Sequence, residues 1–124
     1  MDFSFLGDIL PAERVDELCH RLRKMIEPFR IPGRMDSIPI ACQFRGAEPF
    51  ASFQDEWFAG EVAVVAFFEN YNVMVLTNVK AVLSFLSKRE PWQDWDVCLF
   101  NRSVTWCAAI THNDEVKFVR FASA

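Results

Sequence analysis

Seven consecutive residues, Val62-Ala63-Val64-Val65-Ala66-Phe67-Phe68, carry no polar side chain. Their β-branched and aromatic members favour extended backbone, and Gly60 upstream and Asn70-Tyr71-Asn72 downstream bound the run at strand length. A strand with one wet face alternates apolar with polar residues, whereas a run apolar at every position needs cover on both faces. The chain is therefore expected to build a sheet with Val62 to Phe68 as its central strand. Val73 to Leu76, beyond the polar turn, is the expected hairpin partner.

The rest of the chain must supply that cover. Val15, Leu18, Cys19, Leu22, Ile26 and Phe29 recur at three- and four-residue steps, which predicts a helix from about Pro11 to Glu27. Pro11 suits a helix start and Pro28 a stop, while Glu13, Arg14, Glu17, Arg21, Arg23 and Lys24 form a solvated face with Glu17 spaced to meet Arg21. Thr77 is the expected cap of a second helix whose apolar face is Val79, Val82, Leu83 and Leu86, ending at the positive charges of Lys88 and Arg89. Three further runs, Val97 to Phe100, Val104 to Thr111 and Val116 to Phe121, are separated by Asn101-Arg102-Ser103 and His112-Asn113-Asp114, which predicts an antiparallel meander. Prolines and glycines punctuate residues 30 to 61 and leave room for short strands near Ile38 to Phe44 and Phe50 to Phe53. The pattern is α+β, a mostly antiparallel sheet with two helices packed on one face, in one domain spanning residues 1 to 124. Val64, Val65, Phe67, Val82, Leu83, Leu86, Leu99, Trp106 and Ile110 are expected to share one core.

Charge and composition narrow the function. Thirteen Lys plus Arg against seventeen Asp plus Glu give a net charge of -4, the wrong sign for neutralising a phosphate backbone, so nucleic acid is not an expected partner. Asp2 and Asp8 stand where a secretory signal needs a basic start, and no apolar run approaches the roughly 20 residues that span a bilayer. A cytoplasmic protein without a membrane partner is expected, with Cys19, Cys42, Cys98 and Cys107 as reduced thiols.

No motif demands chemistry. Cysteine and histidine lack metal-ligand spacing, and the four glycines, at 7, 33, 46 and 60, form no phosphate-cradling loop, so neither metal nor cofactor is expected. Cys107, His112 and Asp114 could be assembled into a nucleophile, base and orienter, but His112-Asn113-Asp114 is also what a tight turn looks like. Asp94 with Asp96, and Asp55 with Glu56, read as surface carboxylates. Thirteen Phe and four Trp are more than a small core easily encloses, and several lie beside acids: Asp55-Glu56-Trp57, and Glu90 to Asp96 with Trp92 and Trp95. Trp57 and Trp95 could alternatively fill core, as Trp106 on an inner strand is expected to do. Pro91 prevents Glu90 to Asp96 from continuing the second helix, so a projecting loop is expected there. Trp anchors and carboxylates together suit a basic protein partner.

Residues 70 to 118 carry a resemblance. The Val75-Leu76-Thr77-Asn78 strand end before a helix, the acidic strand start Trp92 to Phe100 and the Ser103 to Glu115 hairpin, with its Thr105-Trp106-Cys107 and Thr111-His112-Asn113-Asp114-Glu115 runs, resemble small cytoplasmic immunity proteins encoded beside bacterial polymorphic or contact-dependent toxins. The resemblance implies a non-catalytic protein that neutralises a cognate toxin by binding it. Charge and aromatic placement then nominate Glu90, Trp92, Asp94, Trp95 and Asp96, with Asp55, Glu56 and Trp57, as contact residues. The competing expectations are a small enzyme or ligand-binding domain with a Cys107/His112 pocket, and an adaptor or chaperone for a secreted effector.

Overall fold

The computed structural model describes residues 3–33, 38, 42, 47–49, 63–88, 96–111 and 115–121. Among them are seven strands and two α-helices: β1 (Asp8–Ile9), α1 (Ala12–Ile26), β2 (Ala47–Pro49), β3 (Val64–Phe68), β4 (Val73–Thr77), α2 (Val79–Ser87), β5 (Val97–Phe100), β6 (Trp106–Ile110) and β7 (Glu115–Arg120). The strands form one sheet in the order β1-β4-β3-β5-β6-β7-β2, with every neighbouring pair antiparallel. This is the α+β architecture expected from the sequence. The meander β5-β6-β7 is present, and β3 and β4 form the expected hairpin, with Phe68 opposite Val73 and Val64 opposite Thr77.

Within the run that demanded two-sided cover, Val64 to Phe68 receive it, whereas Ala63 is exposed ahead of the strand and Val62 lies outside the described residues; this cover overturns the placing of both helices on one face. All five residues of β3 are buried. Val64, Ala66 and Phe68 pack with Val79, Val82 and Leu86 of α2, whereas Val65 and Phe67 pack with Val15, Leu18, Leu22 and Ile26 of α1. Side chains alternate across a strand, so a helix can satisfy only one parity; two apolar parities require one helix on each side. The nine residues expected in one core accordingly divide between two, with Val65 and Phe67 on the α1 side. Eight of them are buried, and Leu83 is half-buried at the margin of α2. β3 lies inside the sheet, while the middle position belongs to β5.

Local chemistry explains the element boundaries. Pro11 is the residue before the first turn of α1 and not its first member; its carbonyl accepts from the N–H groups of Arg14 and Val15. Pro28 ends the α-helical backbone in a short 3-10 turn, Glu27–Phe29. Glu17 pairs with Arg14 at 2.9 Å and not with Arg21, whose guanidinium donates to the Ser103 carbonyl at 3.0 Å. Asn78 and not Thr77 caps α2: its Oδ1 accepts from the Ala81 N–H at 2.8 Å, while the Thr77 hydroxyl donates to the Leu6 carbonyl at 2.6 Å.

The loop between β5 and β6 is held by Asn101, whose Oδ1 accepts from the Thr105 N–H and whose Nδ2 donates to the Thr105 hydroxyl. That bracing supports Val104 at φ 53°, a left-handed conformation unfavourable for a β-branched residue, and delays β6 to Trp106. Of the strand expected near Ile38 to Phe44, Ile38 is helical and Cys42 makes an isolated bridge with Arg30, and the other five residues lie outside the described set. β2 lies just before the strand expected at Phe50 to Phe53, residues outside the described set. No helix among the described residues is long and apolar enough to cross a membrane.

Candidate partner-binding surface

Strand register gives the sheet two chemically different ends. Val73, Phe68, Val97, Ile110, Val116 and Glu48 form one continuous row of cross-strand neighbours. At or just beyond that row, at one end, lie the positions of Glu48, Glu69, Asp96 and Glu115. The β5–β6 loop at the opposite end carries exposed Arg102 and receives Arg21, and Arg120 lies one pair from it, opposite Trp106. Four acidic positions far apart in sequence thus converge at one end of the sheet, while Arg102, Arg21 and Arg120 lie toward the other.

The acidic end also carries aromatic surface. Phe3 stacks on Phe68 with ring centroids 4.1 Å apart, and Phe85 of α2 meets Phe68 at 6.0 Å. Phe5 packs edge-on against Phe85 at 5.2 Å, and Tyr71, in the turn between β3 and β4, meets Phe3 at 5.4 Å. Phe3 and Phe68 are buried, but Phe5 is 63% and Tyr71 44% exposed. The cluster therefore holds two exposed rings on a buried aromatic base, which fixes their positions at little further cost in side-chain entropy. Both escaped the sequence reading, although Phe5 alternates with Phe3 in Phe3-Ser4-Phe5 and Tyr71 sits between two turn-forming asparagines.

Of the sequence-predicted contact residues, Asp96 is described: it is half-buried immediately before β5, on the acidic end. Asp55, Glu56, Trp57, Glu90, Trp92, Asp94 and Trp95 lie outside the described residues, as do His112 and Asp114. The described residues from which those segments depart are nevertheless gathered together. Pro49 pairs with Glu115, Val97 pairs with both Phe68 and Ile110, and Thr111 follows Ile110.

Beside Tyr71, the Glu69 side chain turns inward. Its Oε1 accepts from the Ile38 N–H at 2.8 Å and its Oε2 lies 3.5 Å from the Arg23 guanidinium, which also donates to Cys19 Sγ at 3.2 Å. Burial pushes the Glu69 carboxyl above its ordinary range, against the opposing pull of the Ile38 N–H and Arg23. Glu69 thus ties Ile38 and α1 to the turn that displays Tyr71.

The cysteines are free thiols. Cys42, Cys98 and Cys107 are completely buried on the α1 side of the sheet. Burial pushes the Cys98 thiol well up, assisted by a hydrogen bond with Cys107, and burial likewise raises Cys42. Those shifts oppose thiolate formation, the reverse of what activates a nucleophile. Cys98 and Cys107 instead fill core volume, as does Trp106, which stacks near Phe118.

No family description matches the chain, and no curated protein or solved structure matches it.

Proposed function

We propose that this chain is a cytoplasmic immunity protein that binds a cognate, basic bacterial toxin stoichiometrically and blocks it without catalysis. The observation that carries this reading is the convergence at one sheet end of acidic positions, the exposed rings of Phe5 and Tyr71, and the strand ends leading into residues 50 to 57 and 89 to 95. Carboxylates there would steer a basic cleft into encounter, while aromatic anchors would provide most of the holding energy. The contact set is Glu90, Trp92, Asp94, Trp95 and Asp96, with Asp55, Glu56 and Trp57, extended by Phe5 and Tyr71. A Cys107 enzyme is the less favoured reading because that thiol lies wholly within the core beneath α1.

Coexpression with the product of the adjacent open reading frame tests the proposal. Rescue of growth together with copurification of a one-to-one complex is the expected result. Toxicity unchanged by coexpression would reject it.

A further inference from the structure

At the C-terminal end of α1, on the face of the sheet away from α2, a cavity of about 270 Å³ opens to solvent between Lys24, Met25, Pro28, Phe29 and Phe121. Four of its five lining residues are apolar, and the Phe29 and Phe121 rings meet at a tilt of 51° with centroids 6.2 Å apart. Lys24 stands at its rim, and Arg21, one turn earlier on α1, reaches the Ser103 carbonyl next to Arg102. The Phe121 N–H donates to the Thr105 carbonyl at 2.9 Å, which joins the cavity wall to the same loop. Lys24, Arg21 and Arg102 are all exposed, and none makes an ion pair among the described residues. Glu27, the acid next to Pro28, is paired with Arg30 at 3.7 Å.

We infer that this cavity and its three bases form a second docking site, which takes an acidic polypeptide segment by seating one large apolar side chain among Met25, Pro28, Phe29 and Phe121. The volume suits a single anchor side chain and falls below the range of drug-sized ligand pockets, roughly 300 Å³ and above. The bases are distributed over a helix and a loop, an arrangement that acids flanking an anchor along an extended chain can meet one by one. Charge complementarity is opposite to that of the acidic end, so this site does not depend on the immunity reading and would serve a different partner.

The test uses the purified full chain and a fluorescein-labelled heptapeptide, Asp-Glu-Asp-Phe-Asp-Glu-Asp. Fluorescence anisotropy should show saturable binding that weakens about tenfold when the central Phe of the peptide is Ala, the scale of one apolar anchor. Lys24→Glu and Arg102→Glu, both exposed substitutions, should each weaken binding about fivefold, and added salt should weaken it further. The Phe-to-Ala arm leaves the protein untouched and so separates anchor recognition from any folding defect. Absence of binding at about 1 mM peptide, or binding indifferent to both the Phe and the two bases, would overturn the inference. Sodium dodecanoate shifting the amide resonances of Lys24, Met25 and Phe121 where the peptide does not would overturn it in favour of a fatty-acid site.

Discussion

Asn78 decides where β4 stops and α2 begins, because its side chain occupies one of the N–H groups that a helix start leaves unpaired. Asn78→Ala should lower stability by about 1 kcal/mol in chemical denaturation, and Asn78→Asp should retain most of it. Gly7 is constrained more severely: a Cβ there would collide with the backbone carbonyl of Leu76, a strand group with no rotamer to retreat into. Gly7→Ala should therefore cost about 2 kcal/mol or more, and loss of the Thr77 to Leu6 hydrogen bond should accompany it. Glu69 gives a pH signature. Its folded-state value is raised, so its contribution is full below the unfolded value of about 4.3 and declines as pH rises through the folded one. Glu69→Gln removes that decline. Urea unfolding from about pH 4 to 7 should show the variant gaining relative to the parent as pH rises, and a constant difference would refute the buried carboxylate account.

At the level of elements, apolar spacing carried the most information. The 3-4-4 steps Val15, Leu18, Leu22 and Ile26 of α1 are the residues actually buried, and Val79, Val82 and Leu86 of α2 follow suit. Leu22→Ala should cost about 2 to 5 kcal/mol in denaturant titration, because its side chain is fully enclosed, and Leu83→Ala distinctly less. Periodicity identifies the buried stripe of each helix but not the sheet face that receives it. The information needed was present in β3, where Val65 and Phe67 are as apolar as Val64, Ala66 and Phe68. The Asn78 cap was displaced from Thr77 for a tertiary reason, since the Thr77 hydroxyl is committed to Leu6 from a distant part of the chain. No local pattern could have revealed that bond. The two exposed rings were legible in part: an aromatic inside an asparagine turn is out of place there, but its fixed position depends on Phe3, Phe68 and Phe85 meeting from three elements.

Across the whole molecule, the antiparallel register brings Glu48, Glu69, Asp96 and Glu115, far apart in sequence, to one end of the sheet and places Arg102 and Arg120 toward the other. Composition gives net charge and is blind to this separation, which arises because successive turns of a meander fall alternately at opposite ends. If the acidic end meets the toxin, Trp92→Ala should weaken the complex by about 2 kcal/mol in calorimetry while leaving the melting temperature unchanged. Asp94→Asn with Asp96→Asn should mainly slow association and flatten its salt dependence. The most direct measurement is protection in the coexpression assay with each end altered in turn. Asp94→Lys with Asp96→Lys should abolish rescue while Arg102→Glu preserves it; rescue that survives reversal of the acidic end, or fails on reversal of the basic end alone, would contradict the assignment of the acidic end as the toxin-binding surface.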